Sequence, residues 1–197
     1  MPVAVPAKTP RKSSTELRKM IAPYAIDRTK YPVIIIGIRG YYLNSLGKAG
    51  VNDRNMYDDA IFIDTPQVTA KYNANTDPSF FRRGTGKGST KGMATLKPGL
   101  WMAHKFGPHN NKYMALVQRL GSVTVIRDGD PDYEDTGSFG INIHKGGLIN
   151  TGSEGCQTIY PPQWESFITL AKDQAVRYFG DQWNKVVIPY VLLETKG

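Results

Sequence analysis

The 197-residue chain has one cysteine, three histidines and no long apolar run. A single cysteine excludes an internal disulfide framework. Because no stretch of about 18 apolar residues occurs, the sequence predicts no membrane-spanning segment. The first residues also lack an apolar core that would suit a signal peptide. We therefore expect a protein that is made in the cytoplasm without a secretion signal.

The composition is typical of a globular, turn-rich protein, with 40% hydrophobic residues and 20 glycines. The β-branched run over residues 33–38 indicates a buried strand, and several shorter runs follow it. Residues 161–179 begin with two prolines and carry apolar side chains at helical three-four spacing. Roughly eight short strands and one good helix predict a mainly β sandwich or barrel with one principal α-helix after Cys156.

The net charge of +8 is concentrated at the start of the chain, where residues 1–30 hold seven basic and two acidic residues. Pro2, Pro6 and Pro10 indicate an extended, flexible basic arm, with a short basic helix possible over residues 15–25. We expect residues 31–197 to form a single domain. A solvated tail is the favoured interpretation of the arm, ahead of attraction to an anionic envelope or docking on a partner protein. The pattern does not favour nucleic-acid binding.

The most informative stretch covers residues 139–159 and contains the lone cysteine, Cys156, 12 residues after His144. Apolar and polar residues alternate into the histidine, which predicts a strand with Ile141 and Ile143 on one face and Asn142 and His144 on the other. A glycine-rich loop then leads to a tight corner before Cys156. A loop of this length can fold back and set imidazole against sulfur.

These residue types suit nucleophilic catalysis. A thiol is a weak nucleophile until a base removes its proton, and a histidine within hydrogen-bond reach is the usual base. Small residues before the cysteine allow backbone N–H groups to approach a developing oxyanion. The sequence therefore predicts Cys156 as nucleophile and His144 as base, with Gly155, Ser153 and Glu154 forming the corner.

The stretch resembles the catalytic motif of the L,D-transpeptidase (YkuD-like) family, which is an apolar strand ending in His-Gly, a glycine- and serine-rich loop, and Ser/Thr-His-Gly-Cys followed by an apolar residue and Arg or Asn. Five positions match and three sites depart. The matching residues are Ile143, His144, Ser153, Gly155 and Cys156. The departures are Lys145 before Gly146, Glu154 in place of the second histidine, and Gln157-Thr158 after the cysteine. A Thr-Leu-Lys-Pro-Gly turn at residues 95–99 extends the similarity upstream.

The resemblance implies a YkuD-like fold and an enzyme that forms a thioester with peptidoglycan stem peptides. The departures favour hydrolysis over cross-linking. Without a signal peptide, such an enzyme would reach the wall after lysis, by injection or as part of a phage particle, with the arm as a contact to other virion or delivery proteins. The candidate substrate-binding residues are Asn142, Lys145, Gly146 and His109.

Other interpretations remain open from the sequence. Cys156 could be a buried thiol that acts as a small hydrophobe, and the domain could bind wall peptide without turnover, because a carboxylate at Glu154 would weaken the nucleophile. His104 and His109 could ligate a metal with an aspartate, but no zinc-site spacing is present, so we predict no metal and no cofactor. The acidic stretch 128–135 lacks calcium-loop spacing and is interpreted as solvated. The basic stretch 82–92 lacks the flanking elements of a P-loop and is interpreted as a mobile surface loop.

Overall fold

The computed structural model describes residues 2–84 and 91–195, and it is mainly β, which confirms the predicted class. The strands are β1 (Ile34–Arg39), β2 (Asp59–Asp64), β3 (Thr69–Asn75), β4 (Ala94–Leu96), β5 (Gly99–His109), β6 (Tyr113–Gln118), β7 (Val123–Arg127), β8 (Tyr133–Gly137), β9 (Ile143–Lys145), β10 (Gln157–Ile159) and β11 (Ile188–Glu194). The α-helices are α1 (Ser14–Ile21) and α2 (Trp164–Phe179). Short 3-10 turns lie at Ala22–Tyr24, Pro161–Gln163 and Gly180–Gln182.

Eight of the strands close into a barrel in the order β1-β11-β5-β6-β9-β10-β3-β2. The pairs β1–β11 and β9–β10 are parallel, and the other barrel pairs are antiparallel. The remaining strands form a separate three-stranded sheet in the order β4-β7-β8. Closure leaves the barrel strands without an unpaired edge, so their backbone groups are satisfied by neighbours.

Strand β1 is buried on both faces, which explains its continuous run of β-branched residues. Alternate side chains enter two different cores because successive residues of a strand point to opposite faces. Ile35 joins the main core, to which α2 also contributes, whereas Ile34 and Ile36 join a second core. Helix α1 packs on this second core through Leu17 and Ile21.

The amino-terminal segment contains a short helix where residues 15–25 were predicted to form one, but this helix packs on the domain instead of belonging to a flexible arm. Ser13 caps α1 through a capping box with Glu16, whose backbone N–H lies 3.2 Å from the Ser13 hydroxyl. Leu17 is fully buried. The apolar face of α1 therefore belongs to the body of the domain, which a count of prolines and basic residues could not indicate.

Residues before α1 also contact the body. The Val3 N–H donates to the Leu148 carbonyl at 2.9 Å, and the Tyr57 N–H donates to the Ala4 carbonyl at 3.0 Å. The Tyr57 hydroxyl donates to the Gly147 carbonyl at 2.7 Å. The start of the chain thus lies against the glycine-rich loop that precedes Cys156.

Helix α2 follows the prediction, since it starts after Pro161-Pro162 and ends before Gly180. Its buried stripe fills the main core as the spacing predicted. The stripe consists of Trp164, Phe167, Ile168, Ala171 and Ala175.

Two proline-containing stretches carry strand predictions that the structure tests. The sequence Gly-Pro-His-Asn-Asn at residues 107–111 predicts a turn, but β5 continues to His109 and the turn is limited to Asn110 and Asn111, which have positive φ of 49° and 56°. His109 therefore lies at the end of a strand. Pro189 predicts either an edge position or a bulge in the closing strand. Strand β11 lies between β1 and β5, so the edge position is wrong, whereas the register shift between Ile188 and Tyr190 agrees with a bulge.

We predict that Leu17→Ala lowers the free energy of unfolding by about 2–5 kcal/mol, because it leaves a cavity in the second core. Urea unfolding monitored by circular dichroism measures the effect. Leu120→Ala is the matched control, since Leu120 is 42% exposed and should change stability by less than about 0.5 kcal/mol. Equal effects of the two changes would contradict the placement of α1 in the core.

Candidate active site

An open groove of about 590 Å³ lies where β9, β10 and the end of β5 meet. Both predicted catalytic side chains line it. Its lining residues are His109, Asn110, Arg119, Ser138, Phe139, Gly140, Asn142, His144, Gly152, Glu154 and Cys156. The geometry is that of a surface cleft with nucleophile and base candidates in its wall.

The parallel pairing of β9 with β10 brings the two candidates to this groove. Thr158 is the register partner of His144, and the Gln157 N–H donates to the Asn142 carbonyl at 2.8 Å. Cys156 immediately precedes β10. Residues that are 12 apart in the chain therefore lie on neighbouring segments of the same wall.

The Cys156 thiol is half-buried and is held by main-chain groups. The Asn142 N–H donates to Sγ at 3.4 Å, and Sγ–H donates to the Gly140 carbonyl at 3.3 Å. Burial raises the pKa of the thiol to about 11, with the Asn142 N–H opposing the rise and the Glu154 charge adding to it. Within residues 2–84 and 91–195, Sγ and the His144 ring are not hydrogen-bonded to each other. The resting group is therefore a neutral thiol.

The His144 ring has its tautomer defined by one hydrogen bond. Nδ1 lies 2.8 Å from the Lys145 carbonyl, which can only accept, so Nδ1 carries the proton and Nε2 is free to act as a base. Burial lowers the pKa of His144 to about 4, with the His109 charge adding to the decrease and the Lys145 carbonyl opposing it. At neutral pH the ring is an uncharged base.

His109 stacks on His144 with ring centroids 4.1 Å apart and an angle of 16° between the planes. Asn142 Oδ1 accepts from the Gln118 N–H at 2.9 Å, so the Asn142 amide nitrogen is the group that donates to His109 Nδ1 at 3.1 Å. Burial, followed by the Lys112 charge, lowers the pKa of His109. Asn142, a predicted substrate-binding residue, thus uses both ends of its side chain to join β6 to His109.

The corner before the thiol is held by Ser153. Its hydroxyl donates to the Cys156 carbonyl at 2.7 Å and accepts from the Gly155 N–H at 3.0 Å. The Gly155 N–H, a predicted oxyanion donor, is therefore already in use. Among the described residues the Cys156 N–H has no acceptor, which leaves it as the candidate donor for an oxyanion.

Gly155 is required sterically at this corner. Its φ is +151°, and a Cβ there would lie 2.5 Å from the Ala94 carbonyl oxygen. The Ala94 N–H in turn donates to the Glu154 carbonyl at 3.1 Å. The close approach of β4 thus explains the glycine before the cysteine.

Of the other predicted site residues, Glu154 lines the groove, whereas Lys145 and Gly146 are not among its lining residues. The Glu154 side chain is exposed and pairs with Arg82 at 3.2 Å. Lys145 is exposed, and its carbonyl orients His144. The Gly146 N–H donates to the Ile159 carbonyl at 2.9 Å, and a side chain there would collide with the Tyr57 hydroxyl.

Gln118 is an organising residue that the sequence analysis missed. Its fully buried side chain accepts from the N–H groups of Phe139 and Ile141 at 3.1 and 2.9 Å. It donates to the carbonyls of Gly121 and Gly137 at 3.0 and 2.9 Å. The predicted strand began at residue 139, but β9 begins only at Ile143. Over residues 139–142 the hydrogen bonds of Gln118 take the place of strand pairing. A single glutamine in a strand gave no local signal of this role.

His104 lies under the site rather than in it. The ring is fully buried, and Nε2–H donates to the Ile141 carbonyl at 2.8 Å. Burial lowers the pKa of His104 to about 4, with that carbonyl opposing the decrease. In the part of the chain that the structure describes, no three His, Cys, Asp or Glu side chains are arranged to hold a metal ion.

Two charged stretches have structural partners. Asp128 of the acidic stretch pairs with Arg54 at 2.6 Å, and Asp135 pairs with Lys91 and Arg127 at 2.6 and 3.0 Å. The centre of the predicted basic loop, residues 85–90, lies outside the described residues. Of the helices that the structure describes, none has the length and apolar character needed to cross a membrane.

In comparisons with known proteins, no family model, no curated protein and no solved structure matches the chain. The similarity to the L,D-transpeptidase family is therefore carried by the motif residues alone, and it stays a prediction.

We predict that Gln118→Met lowers the free energy of unfolding by at least about 2 kcal/mol, because it leaves buried N–H and C=O groups without partners. Chemical denaturation measures the change. Gln67→Met is the matched control at an exposed site and should be nearly neutral. If both variants unfold alike, Gln118 does not organise residues 139–142.

We also predict that His104 contributes to a loss of stability in mild acid. The unfolded chain protonates this histidine below its ordinary pKa of 6.5, whereas the folded chain keeps it neutral down to about 4. Stability therefore falls as the pH drops through this window, by about 1–2 kcal/mol between pH 7 and pH 5 from this group. His104→Gln should flatten the pH dependence of urea unfolding by this amount, and an unchanged slope would contradict the assignment.

Proposed function

We propose that the chain is a cysteine enzyme of the L,D-transpeptidase type that acts on peptidoglycan stem peptides and favours hydrolysis. The observation that carries the proposal is that Cys156 and a neutral His144, whose Nε2 has no partner among the described residues, both line one groove. The motif residues and the mainly β barrel support the same family. The finer YkuD-like fold is part of the proposal.

The proposed chemistry starts from an uncharged pair. As Cys156 Sγ bonds to the carbonyl carbon of the scissile amide, His144 Nε2 takes the thiol proton, and the carbonyl oxygen becomes an oxyanion facing the Cys156 N–H. Collapse breaks the C–N bond, the imidazolium returns its proton to the leaving amine, and a thioester remains. Water, deprotonated by Nε2, then releases the acid and restores the thiol.

The hydrogen bond to the Lys145 carbonyl supports the proton transfer, because it stabilises the imidazolium that forms. The raised thiol pKa and the lowered His144 pKa oppose a resting ion pair. Proton transfer must therefore accompany attack on the substrate rather than precede it.

The departures from the family motif support hydrolysis as the main outcome. Gln157 and Thr158 are fully buried, and Gln157 accepts from the Tyr190 hydroxyl at 2.9 Å. Neither side chain lines the groove, so the polar residue that the family carries after the cysteine has no counterpart there. The proposed site of action is the cell wall, reached after lysis, by injection or in a phage particle, with other virion or delivery proteins as partners of the amino-terminal segment.

A second candidate function is a wall-binding or structural module without turnover. It is favoured by the neutral, main-chain-bound thiol, whose pKa is about 11. Such a module would keep the groove for peptide and would show no dependence on the sulfur atom.

We predict that the wild-type protein converts purified muropeptides and that Cys156→Ala abolishes conversion, as measured by mass spectrometry. His144→Gln should slow the reaction by about 10²–10⁴-fold, the usual contribution of a general base. Loss of a terminal D-alanine, a split cross-link and a new cross-link would each identify a different reaction. Equal activity of Cys156→Ala would exclude the cysteine mechanism, and binding without conversion would favour the module.

A further inference from the structure

The groove contains one charge that nothing in the described chain neutralises. Arg119 and Glu154 are its charged lining residues, because both histidines are neutral at pH 7. Glu154 is paired with Arg82 at 3.2 Å. For Arg119, no acidic partner lies among residues 2–84 and 91–195. A molecule bound in the groove would therefore meet the unpaired positive charge of Arg119.

The backbone of Arg119 is held at a defined place. It directly follows β6, and the N–H groups of Arg119 and Leu120 both donate to the Ala103 carbonyl at 3.0 Å. This shared acceptor ends the regular pairing of β6 with β5 at Gln118. Arg119 is exposed and lines the groove that also contains the thiol.

The guanidinium has unused donors. Its described hydrogen bond is from one terminal nitrogen to the Gln118 carbonyl at 3.2 Å. A guanidinium carries five N–H donors in a planar fork that matches a carboxylate. Ser138 and Asn110, which line the same groove, are neutral and can add donors without cancelling the charge.

We propose that Arg119 forms a carboxylate-binding subsite in the groove of Cys156. It selects substrates that carry a free carboxylate close to the carbonyl under attack. The choice of substrate class rests on the proposed function, whereas the subsite itself is a property of the groove. Arg119 is thus a specificity-determining residue, with no role in moving the proton.

The decisive test compares two alkylating reagents that differ in charge. Iodoacetate carries a carboxylate and iodoacetamide does not, so the ratio of their rates at Cys156 isolates the effect of charge from the reactivity of the thiol. Each rate is normalised to glutathione. We expect the wild-type ratio to exceed that of glutathione by about three- to fivefold at low salt, and added salt to reduce it.

Arg119→Gln should bring the normalised ratio to that of glutathione, and Arg119→Lys should keep most of the preference. Arg177→Gln, an exposed change on α2 away from the groove, should leave the ratio unchanged. A wild-type ratio at or below that of glutathione, or a ratio that survives Arg119→Gln, would overturn the subsite.

A second measurement decides the question if neither reagent reaches the sulfur. N-acetyl-D-alanine and N-acetyl-D-alaninamide are titrated into isotope-labelled protein while the amide signals of Ser138 and Gly140 are followed by NMR. We expect shifts with the carboxylate alone, absent in Arg119→Gln. If Cys156 is not alkylated but these shifts are seen, the proposed enzyme activity is refuted and the subsite is supported. Equal shifts with both compounds would overturn the subsite.

In a stem peptide the carboxylate has two sources, the carboxyl terminus of the D-residue and the side chain of the diamino acid. Tetrapeptides amidated at one or the other distinguish them. We expect one amidation to lower kcat/KM by about three- to tenfold in wild type and to have no effect in Arg119→Gln. If neither amidation matters while wild-type hydrolysis proceeds, the subsite is refuted and the proposed function stands.

Discussion

The parallel pairing of β9 with β10 is the constraint on which the candidate site depends. Parallel strands need a crossover of about a dozen residues, and the chain here provides a connection of about that length over residues 146–156. That connection is compact because glycines let the backbone pass close to Tyr57 and to the Ala94 carbonyl. Any lengthening or stiffening of this connection would change the position of the sulfur relative to the imidazole.

The same packing that positions the two groups also removes them from water. Desolvation penalises the charged form of each, so the thiol and the imidazole both rest neutral, unlike cysteine sites that hold a preformed ion pair. In the proposed mechanism, the thiol stays protected at rest and reacts only when a substrate carbonyl accepts its electrons. In the described part of the chain, the groove's unpaired charge is that of Arg119, which follows β6, and the proposed subsite therefore assigns recognition and proton transfer to different residues.

Local patterns were sufficient for several features of the fold. The β-branched run at β1, the stripe of α2 and the alternation that turns Ile143 into the core and His144 into the groove all depend on neighbours within a few residues. The mainly β class follows from them. These features were predictable because the periodicity of side chains is set by backbone geometry alone.

Features that depend on distant residues were not predictable from one sequence. The insertion of β11 between β1 and β5, the support of residues 139–142 by Gln118, and the position of Arg119 each require contacts across the barrel. The packing of helix α1 was not predictable either, because its basic residues gave no indication that Leu17 and Ile21 would be buried in the second core. Which strands pair depends on the packing of the whole sheet, so a local sequence pattern does not predict it.

The hydrogen bonds of Val3, Ala4 and Tyr57 have a practical consequence for work with this protein. They tie the beginning of the chain to the back of the loop that leads to the sulfur, whereas β11 brings the other end of the described chain to Arg39, where the Thr195 N–H donates to the Arg39 carbonyl at 2.9 Å. An affinity tag or fluorescent label is therefore better attached at the carboxyl end when native reactivity is to be measured. A label placed at the amino end would instead serve as a reporter of the loop.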